Sequence, residues 1–208
     1  MGIECDLNLS NMSEVTLKGL QEFYIQELMN NTYKYDYDYK EINDKVDEVS
    51  KIHLHFYESN MCHLLGIQHI VDSLYNKNTY TGELGFNKIK DDELTIDILK
   101  SISKSKFKSQ KDRFKYFKLI KNIIESPDLI LYNSNKNKSN IKSKYIMYKL
   151  IGNSYVHLGI DVKECLNVDG KLVDICFPRT FLIEKKLGMK FIENQTELVV
   201  KSSEIVDK

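Results

Sequence analysis

The chain has 208 residues, of which 42% are hydrophobic, and its 30 basic residues balance its 30 acidic ones. That length can bury the core of one domain, or of one domain with a helical extension. No apolar run approaches the roughly 20 residues that a membrane-spanning helix needs, and the N-terminus lacks the basic-then-apolar pattern of a secretory signal. We therefore expect a cytoplasmic protein that has no membrane partner.

The neutral total charge hides an uneven distribution along the chain. Residues 100–149 contain thirteen lysines and one arginine against three acidic residues, a net charge of +11, which leaves −11 for the remainder. A basic segment of this size is typical of a surface that binds a polyanion, although a lysine-rich solvated helix has the same composition. The candidate RNA-binding residues in this segment are Arg113, Lys111, Lys115, Lys118 and Lys149.

The first elements along the chain are predicted from hydrophobic spacing. Residues 15–29 have the apolar period of a helix, with Ser13 available as its N-cap. Residues 33–39 alternate Tyr with Lys or Asp, which fits either an exposed strand or a tyrosine-rich linker. Residues 52–56 alternate with period two, which predicts a short strand before a helix over 62–74 that Ser59 could cap.

The second half of the chain changes from helices to strands. Helices are predicted over 94–102 and over 107–124, the latter ended by Pro127, with loops at 76–85 and 133–143. This order predicts an α+β fold in which N-terminal helices precede an antiparallel sheet of four to five strands. Residues 1–45 are interpreted as a helical N-terminal extension and residues 46–208 as the main domain. The predicted strands are 129–132, 145–151, 155–162, 174–184 and 197–203, with hairpin turns at Gly152-Asn153 and Asp169-Gly170.

Histidine is concentrated in one stretch of the sequence. Residues 52–70 hold His53, His55, His63 and His69, and the fifth histidine is His157. Histidine can both accept and donate a proton near neutral pH, so the stretch indicates proton transfer or a metal. On one regular helix, His63 and His69 would lie about 240° apart, so at most one of them should face a shared site.

A metal site is the less favoured of these two interpretations. The histidine spacing is not that of a His-Glu-x-x-His motif, and no carboxylate is in register with it. The four cysteines contain no Cys-x-x-Cys pair, so neither a zinc knuckle nor a redox motif is indicated. We expect no metal and no cofactor.

Three short phrases carry a resemblance to a known family. They are Phe56 followed by His63-Leu64-Leu65-Gly66-Ile67, then the phrase YVHLGI at 155–160, then FPRTF at 177–181. Together, over residues 50–185, they resemble the phage-associated branch of the barnase, EndoU, colicin and RelE-like ribonucleases. The resemblance implies a barnase/RelE-like fold. It also implies a metal-independent endoribonuclease that cleaves RNA by 2′-hydroxyl attack to leave a 2′,3′-cyclic phosphate.

The resemblance also implies a biological setting and partners. Such a protein would be a toxin or a phage-borne effector. RNA, with tRNA among the candidates, would be its substrate, and an antitoxin or immunity protein would be a candidate partner.

Four residues are the candidate catalytic groups. His63 lies within the first phrase, although a helix histidine in an apolar context is often a core residue. His157 accompanies Gly159 on a predicted strand, where a lone histidine is often structural. Arg179 is one of only two arginines in a chain with 28 lysines. This composition favours a role for Arg179 that needs the planar guanidinium group. Thr180 could donate to a phosphate oxygen or simply fill a strand position.

Two non-catalytic hypotheses stay open from the sequence. In the first, the same fold binds nucleic acid or a protein through its basic face and the histidines are structural. In the second, the protein is an inhibitor or adaptor whose acidic N-terminal half docks on a basic partner.

Overall fold

The computed structural model describes residue 12 and residues 14–39, 50–166 and 172–208. The elements follow one another from helix to strand, back to helices and then to a long run of strands. They are α1 (Leu17–Phe23), a π-helical continuation (Tyr24–Met29), β1 (Asn31–Tyr39), β2 (Ser50–His55), α2 (Glu58–Leu64), α3 (Ile67–Ile70), a 3-10 turn (Lys77–Tyr80), α4 (Gly82–Lys90), α5 (Ile96–Ile102), α6 (Lys104–Tyr116), a 3-10 turn (Phe117–Leu119), α7 (Ile120–Glu125), β3 (Asp128–Leu131), β4 (Tyr145–Ile151), β5 (Ser154–Leu166), β6 (Leu172–Lys185) and β7 (Thr196–Asp207).

Seven strands form a closed barrel in the order β1-β2-β6-β5-β4-β3-β7. Its neighbouring strands are antiparallel apart from β2 and β6, which run parallel with Leu54 opposite Cys176. The expectation of an antiparallel sheet with four to five strands is therefore wrong, while the mixture of helices and strands is confirmed. The five C-terminal strands are all present, but β1 and β2 join them and close the sheet. Local periodicity does not report such long-range pairing.

Strand β1 is buried rather than exposed. Tyr33, Tyr35 and Tyr37 are each at most 3% exposed, so the alternative of an exposed strand is wrong. Their hydroxyls are satisfied inside the protein: that of Tyr35 donates to the Ile124 carbonyl at 2.6 Å, and that of Tyr37 lies 2.7 Å from the Tyr145 hydroxyl. The segment 1–45 thus contributes a barrel strand as well as helical residues 17–29.

The histidine-rich helix is divided into two. The prediction of one helix over 62–74 is wrong because α2 ends at Leu64 and a separate turn, α3, begins at Ile67. Gly66 lies between them with φ +74°, a conformation that glycine adopts without steric cost. The expected loop at 76–85 is also partly wrong, since α4 begins at Gly82.

The helices pack against one face of the strands. Phe117, at the end of α6, meets Phe181 of β6 edge to face with ring centroids 6.1 Å apart, and Tyr24 packs on Phe117. On the opposite face, Ile146 belongs to a smaller apolar cluster that includes Phe191. None of the helices in the described ranges combines the length and apolar character that crossing a membrane requires.

The burial of β1 leads to a stability prediction. Tyr35→Ala should lower the free energy of unfolding by about 3 to 5 kcal/mol, because it empties a core position and leaves the Ile124 carbonyl without its donor. Tyr39→Ala, at the exposed end of the same strand, is the matched control and should cost less than about 1 kcal/mol. Urea unfolding measures both, and equal small losses would contradict the inward orientation of β1.

Candidate active site

A β-bulge places Arg179 at the site. In the pairing of β5 with β6, Gly159 is opposite Thr180 and Ile160 is opposite Pro178, so Arg179 is the extra residue without a partner. Bulges of this kind redirect a side chain and are frequent beside functional sites. Arg179 forms an ion pair with Asp161, and about 39% of its side chain stays exposed. The guanidinium is therefore held in place while part of it faces solvent.

His63 lies on the last turn of α2 with its side chain exposed at the surface. Partial desolvation lowers its pKa from the ordinary 6.5, and the charges of Arg113 and Arg179 lower the pKa further. The imidazole is consequently neutral at pH 7, which is the form that accepts a proton.

The break at Gly66 brings two histidines to one cleft. His63 and His69 both line it, so the expectation that at most one of them faces a shared site is wrong. On a continuous helix the two side chains would lie about 240° apart, but the left-handed Gly66 changes the direction of the chain between them. Burial and the charge of Arg113 lower the pKa of His69, and Asp72 partly offsets that effect.

Arg113 is a partly buried cation beside these histidines. Its guanidinium donates, at 3.4 Å, to the carbonyls of His63 and Leu64 at the end of α2. No carboxylate in the described part of the chain forms an ion pair with it. Burial lowers its pKa to about 10. A desolvated guanidinium that contacts only neutral carbonyls retains the capacity to bind an anion.

Two clefts meet at His63 and Arg179. The first cleft has a volume of about 450 Å³ and is lined by residues from segments 59–63, 68–72, 77–82 and 177–179. The second cleft has a volume of about 510 Å³ and is lined by Arg113 and by residues from segments 63–69, 138–142, 179–182 and 190–191. His63 and Arg179 line both of them, so these two side chains stand at the boundary between the clefts.

Thr180 reaches the second cleft across a glycine. Its Cγ2 would lie 2.5 Å from a Cβ built on Gly159, and the Ser143 hydroxyl would be equally close. Only glycine permits this approach of β5 to Thr180. Thr180 thus shares the second cleft with Arg113, Arg179, His63 and His69.

His157 does not line either cleft. It is fully buried between Tyr148, Tyr155 and Phe191, with ring centroids 5.6 to 6.3 Å away. Its Nε2 lies 3.4 Å from a carboxylate oxygen of Glu184, and neither ring nitrogen makes a hydrogen bond. Burial lowers its pKa to about 4. His157 is therefore neutral and enclosed, beneath the segment 190–191 that forms one wall of the second cleft.

The predicted basic residues do not lie on one surface. Lys111 and Lys115 are each about 160° around α6 from Arg113, which faces α2. Lys118 lies over the Phe23 ring, and the ammonium group of Lys149 donates a hydrogen bond to the Ser126 hydroxyl at the end of α7. The lysines that line the second cleft are Lys138, Lys142 and Lys190.

Sequence reasoning did not single out these three lysines. Lys138 and Lys142 lie in the low-complexity loop 133–143, where the density of lysine was the available signal. No local pattern brings Lys190 near that loop, and Asp161, the partner of Arg179, also carried no signal. In the described ranges, no group of three or more His, Cys, Asp or Glu side chains could hold a metal ion.

A neutral histidine beside two arginines is an arrangement suited to phosphodiester chemistry. Residues 16–205 match the model of the family described as phage-Barnase-EndoU-ColicinE5/D-RelE like nuclease4. The match covers most of the chain, so the protein belongs to this family of nuclease-like proteins, as the three sequence phrases predicted. No curated protein matches the chain, and no solved structure does.

The burial of His157 predicts a pH-dependent stability. Because its pKa in the fold is about 4, the unfolded chain takes up a proton first as the pH falls below about 6.5. Stability should then be lost between pH 6.5 and 4, by about 3 kcal/mol. His157→Phe keeps the ring but cannot take up a proton, so it should remove this loss and be no less stable at pH 8.

Denaturant unfolding across that pH range, with wild type and variant compared at each pH, measures the effect. His53→Phe, which replaces an exposed histidine of β2, is the matched control and should follow the wild-type curve. Parallel curves for wild type and His157→Phe would contradict the buried, neutral state of His157.

Proposed function

We propose that the protein is a metal-independent endoribonuclease that cleaves RNA at the boundary of the two clefts. One observation carries the proposal: the exposed, neutral His63 shares that boundary with Arg179, and Arg113, which pairs with no carboxylate among the described residues, lies beside it. Membership of a nuclease-like family supports the reaction class. We further propose a toxin or phage-borne effector as the biological setting.

The reaction needs a base, a charge-stabilising group and an acid. His63 accepts the proton of the ribose 2′-hydroxyl, and the 2′-oxygen attacks the adjacent phosphorus. The bond to the 5′-oxygen breaks, and that oxygen takes a proton from the protonated form of His69 in the second cleft, which the lowered pKa of His69 makes the minor form at pH 7. The products are a 2′,3′-cyclic phosphate and a free 5′-hydroxyl.

The two arginines and Thr180 bind the phosphoryl oxygens. A planar guanidinium can donate two parallel hydrogen bonds to a phosphate, and the bond strengthens as negative charge builds on the oxygens. Arg179 is oriented for this by Asp161. Lys138, Lys142 and Lys190 extend the positive lining of the second cleft, where they can bind neighbouring phosphates of the RNA backbone.

The proposal assigns no substrate contact to His157 or to the four predicted lysines. His157 is enclosed and contacts no solvent-filled space, so we assign it to support of the 190–191 wall rather than to substrate contact. Lys111, Lys115, Lys118 and Lys149 lie outside both clefts. We assign them no contact with the scissile phosphate.

The first test is cleavage of RNA in EDTA. Wild type should produce fragments that end in 2′,3′-cyclic phosphate. His63→Ala should reduce kcat/KM by about 10²- to 10⁴-fold because the base is lost. Arg179→Ala should reduce it by about 10²- to 10³-fold because the developing charge is less stabilised. The matched control is His53→Ala, which removes an exposed histidine that lines neither cleft.

Binding of the same RNA separates catalysis from recognition. We expect His63→Ala to keep wild-type affinity and its salt dependence while cleavage is lost. Full cleavage by His63→Ala would contradict the assigned base. Salt-dependent binding by a wild-type protein that leaves RNA intact would favour the non-catalytic hypothesis.

The effect of Arg179 on His63 gives a second prediction. The charge of Arg179 lowers the pKa of His63, so Arg179→Gln should raise that pKa toward 6.5, whereas Arg179→Lys should keep it low. Titration of the His63 imidazole by NMR measures this without any need for activity. An unchanged pKa in Arg179→Gln would show that the two side chains are not electrostatically coupled.

A further inference from the structure

The two clefts share His63 and Arg179 but differ in chemistry. The second cleft adds Arg113 and three lysines, and no Asp or Glu is among the described residues that line it. The first cleft contains one carboxylate, Asp72, which pairs with Lys106, and one lysine of its own, Lys77; five of its thirteen lining side chains carry an amide or a hydroxyl group. The second cleft therefore suits phosphates, while the first suits a neutral polar group.

Two amide side chains in the first cleft have unused hydrogen-bonding capacity. The side-chain amide of Asn78 makes no hydrogen bond within the described structure, although its backbone carbonyl accepts from Thr81. Gln68 donates through Nε2 to the His63 carbonyl, while its Oε1 is buried without a partner. An amide offers both a donor and an acceptor, which is what the edge of a nucleobase requires.

Apolar side chains also line the first cleft. Phe177 and Pro178 line it from β6, directly before Arg179, and Val71 contributes from the end of α3. Val71 and Pro178 are buried, whereas Phe177 is half-buried, so its ring is the apolar surface that can pack against the face of a base. A volume of about 450 Å³ is within the roughly 300 to 1,000 Å³ of small-molecule pockets.

We propose that the first cleft binds the base of one nucleotide adjacent to the phosphodiester held at His63 and Arg179. The protein would then prefer particular RNA sequences at that position, with the exposed side-chain amide of Asn78 contacting the base edge. The identity of the phosphate site rests on the proposed function. The proposed base pocket can be tested by measuring RNA binding, without any RNA cleavage.

The test measures binding of short 2′-O-methyl RNA, which cannot be cleaved by 2′-hydroxyl attack. Each position of a tetranucleotide is varied through the four bases, and the Kd is measured by fluorescence anisotropy at one salt concentration. Wild type should favour one base at one position by about 10-fold. Asn78→Ala should reduce that preference to about 3-fold or less.

Two further variants make the result specific to the cleft. Asn76→Ala changes an exposed residue of the same type, two positions away and outside both clefts, and should keep the preference. Ser59→Leu adds an apolar side chain at an exposed position that lines the first cleft, and should weaken binding of the preferred sequence. Ser203→Leu, its control, makes the same change at an exposed serine that lines neither cleft and should leave binding as in wild type.

The outcomes separate this inference from the proposed function. Equal affinity for all four bases at every position, or a preference that survives both Asn78→Ala and Ser59→Leu, would overturn the base pocket. A base preference in a protein that leaves ordinary RNA intact would support the pocket and overturn the nuclease proposal. RNA cleavage without any base preference would overturn the pocket alone.

Discussion

The parallel pairing of β2 with β6 is the constraint on which the site depends. Leu54 lies opposite Cys176. Because β2 and β6 are parallel, both strands continue past this pair in the same direction. Beyond it, β2 leads within a few residues into α2 and His63, while β6 reaches the bulge at Arg179. The pairing that closes the barrel therefore also brings together the histidine of one phrase and the arginine of another, 116 positions away in the numbering.

The surroundings of His63 create an electrostatic balance. Burial destabilises its protonated form most, and the positive charges nearby add to that effect, so the imidazole stays neutral and can act as a base. The positive charges of Arg113 and Arg179 repel each other when no anion is bound. In that state the guanidinium of Arg113 donates to two backbone carbonyls. A bound phosphate would relieve that repulsion and would also stabilise the proton once His63 has accepted it. In the proposed reaction, the same three side chains would therefore organise the empty site and stabilise the reacting phosphate.

The sequence predicted much of the local structure because local patterns record it. The five C-terminal strands, the helix over 15–29 and the Gly152-Asn153 turn all follow from periodicity and turn residues; Asp169-Gly170 lies outside the described residues. Three features did not follow. The closure by β1 depends on pairing with β7, the cleft shared by His63 and His69 depends on one left-handed glycine, and the bulge depends on a register shift opposite Gly159. Each is a relation between distant segments or a single backbone angle.

Folding also decides where the excess positive charge of residues 100–149 remains. Lys106 pairs with Asp72, Lys121 with Glu27, and Lys100 with Asp97, so acidic residues outside or within the helical part neutralise three of its eight lysines. The loop lysines Lys138 and Lys142 form no ion pair in the described part of the chain, and both line the second cleft. A chain with no net charge thus presents a cationic cleft beside His63. The proposed binding of RNA needs such a local excess of positive charge and not a basic protein as a whole.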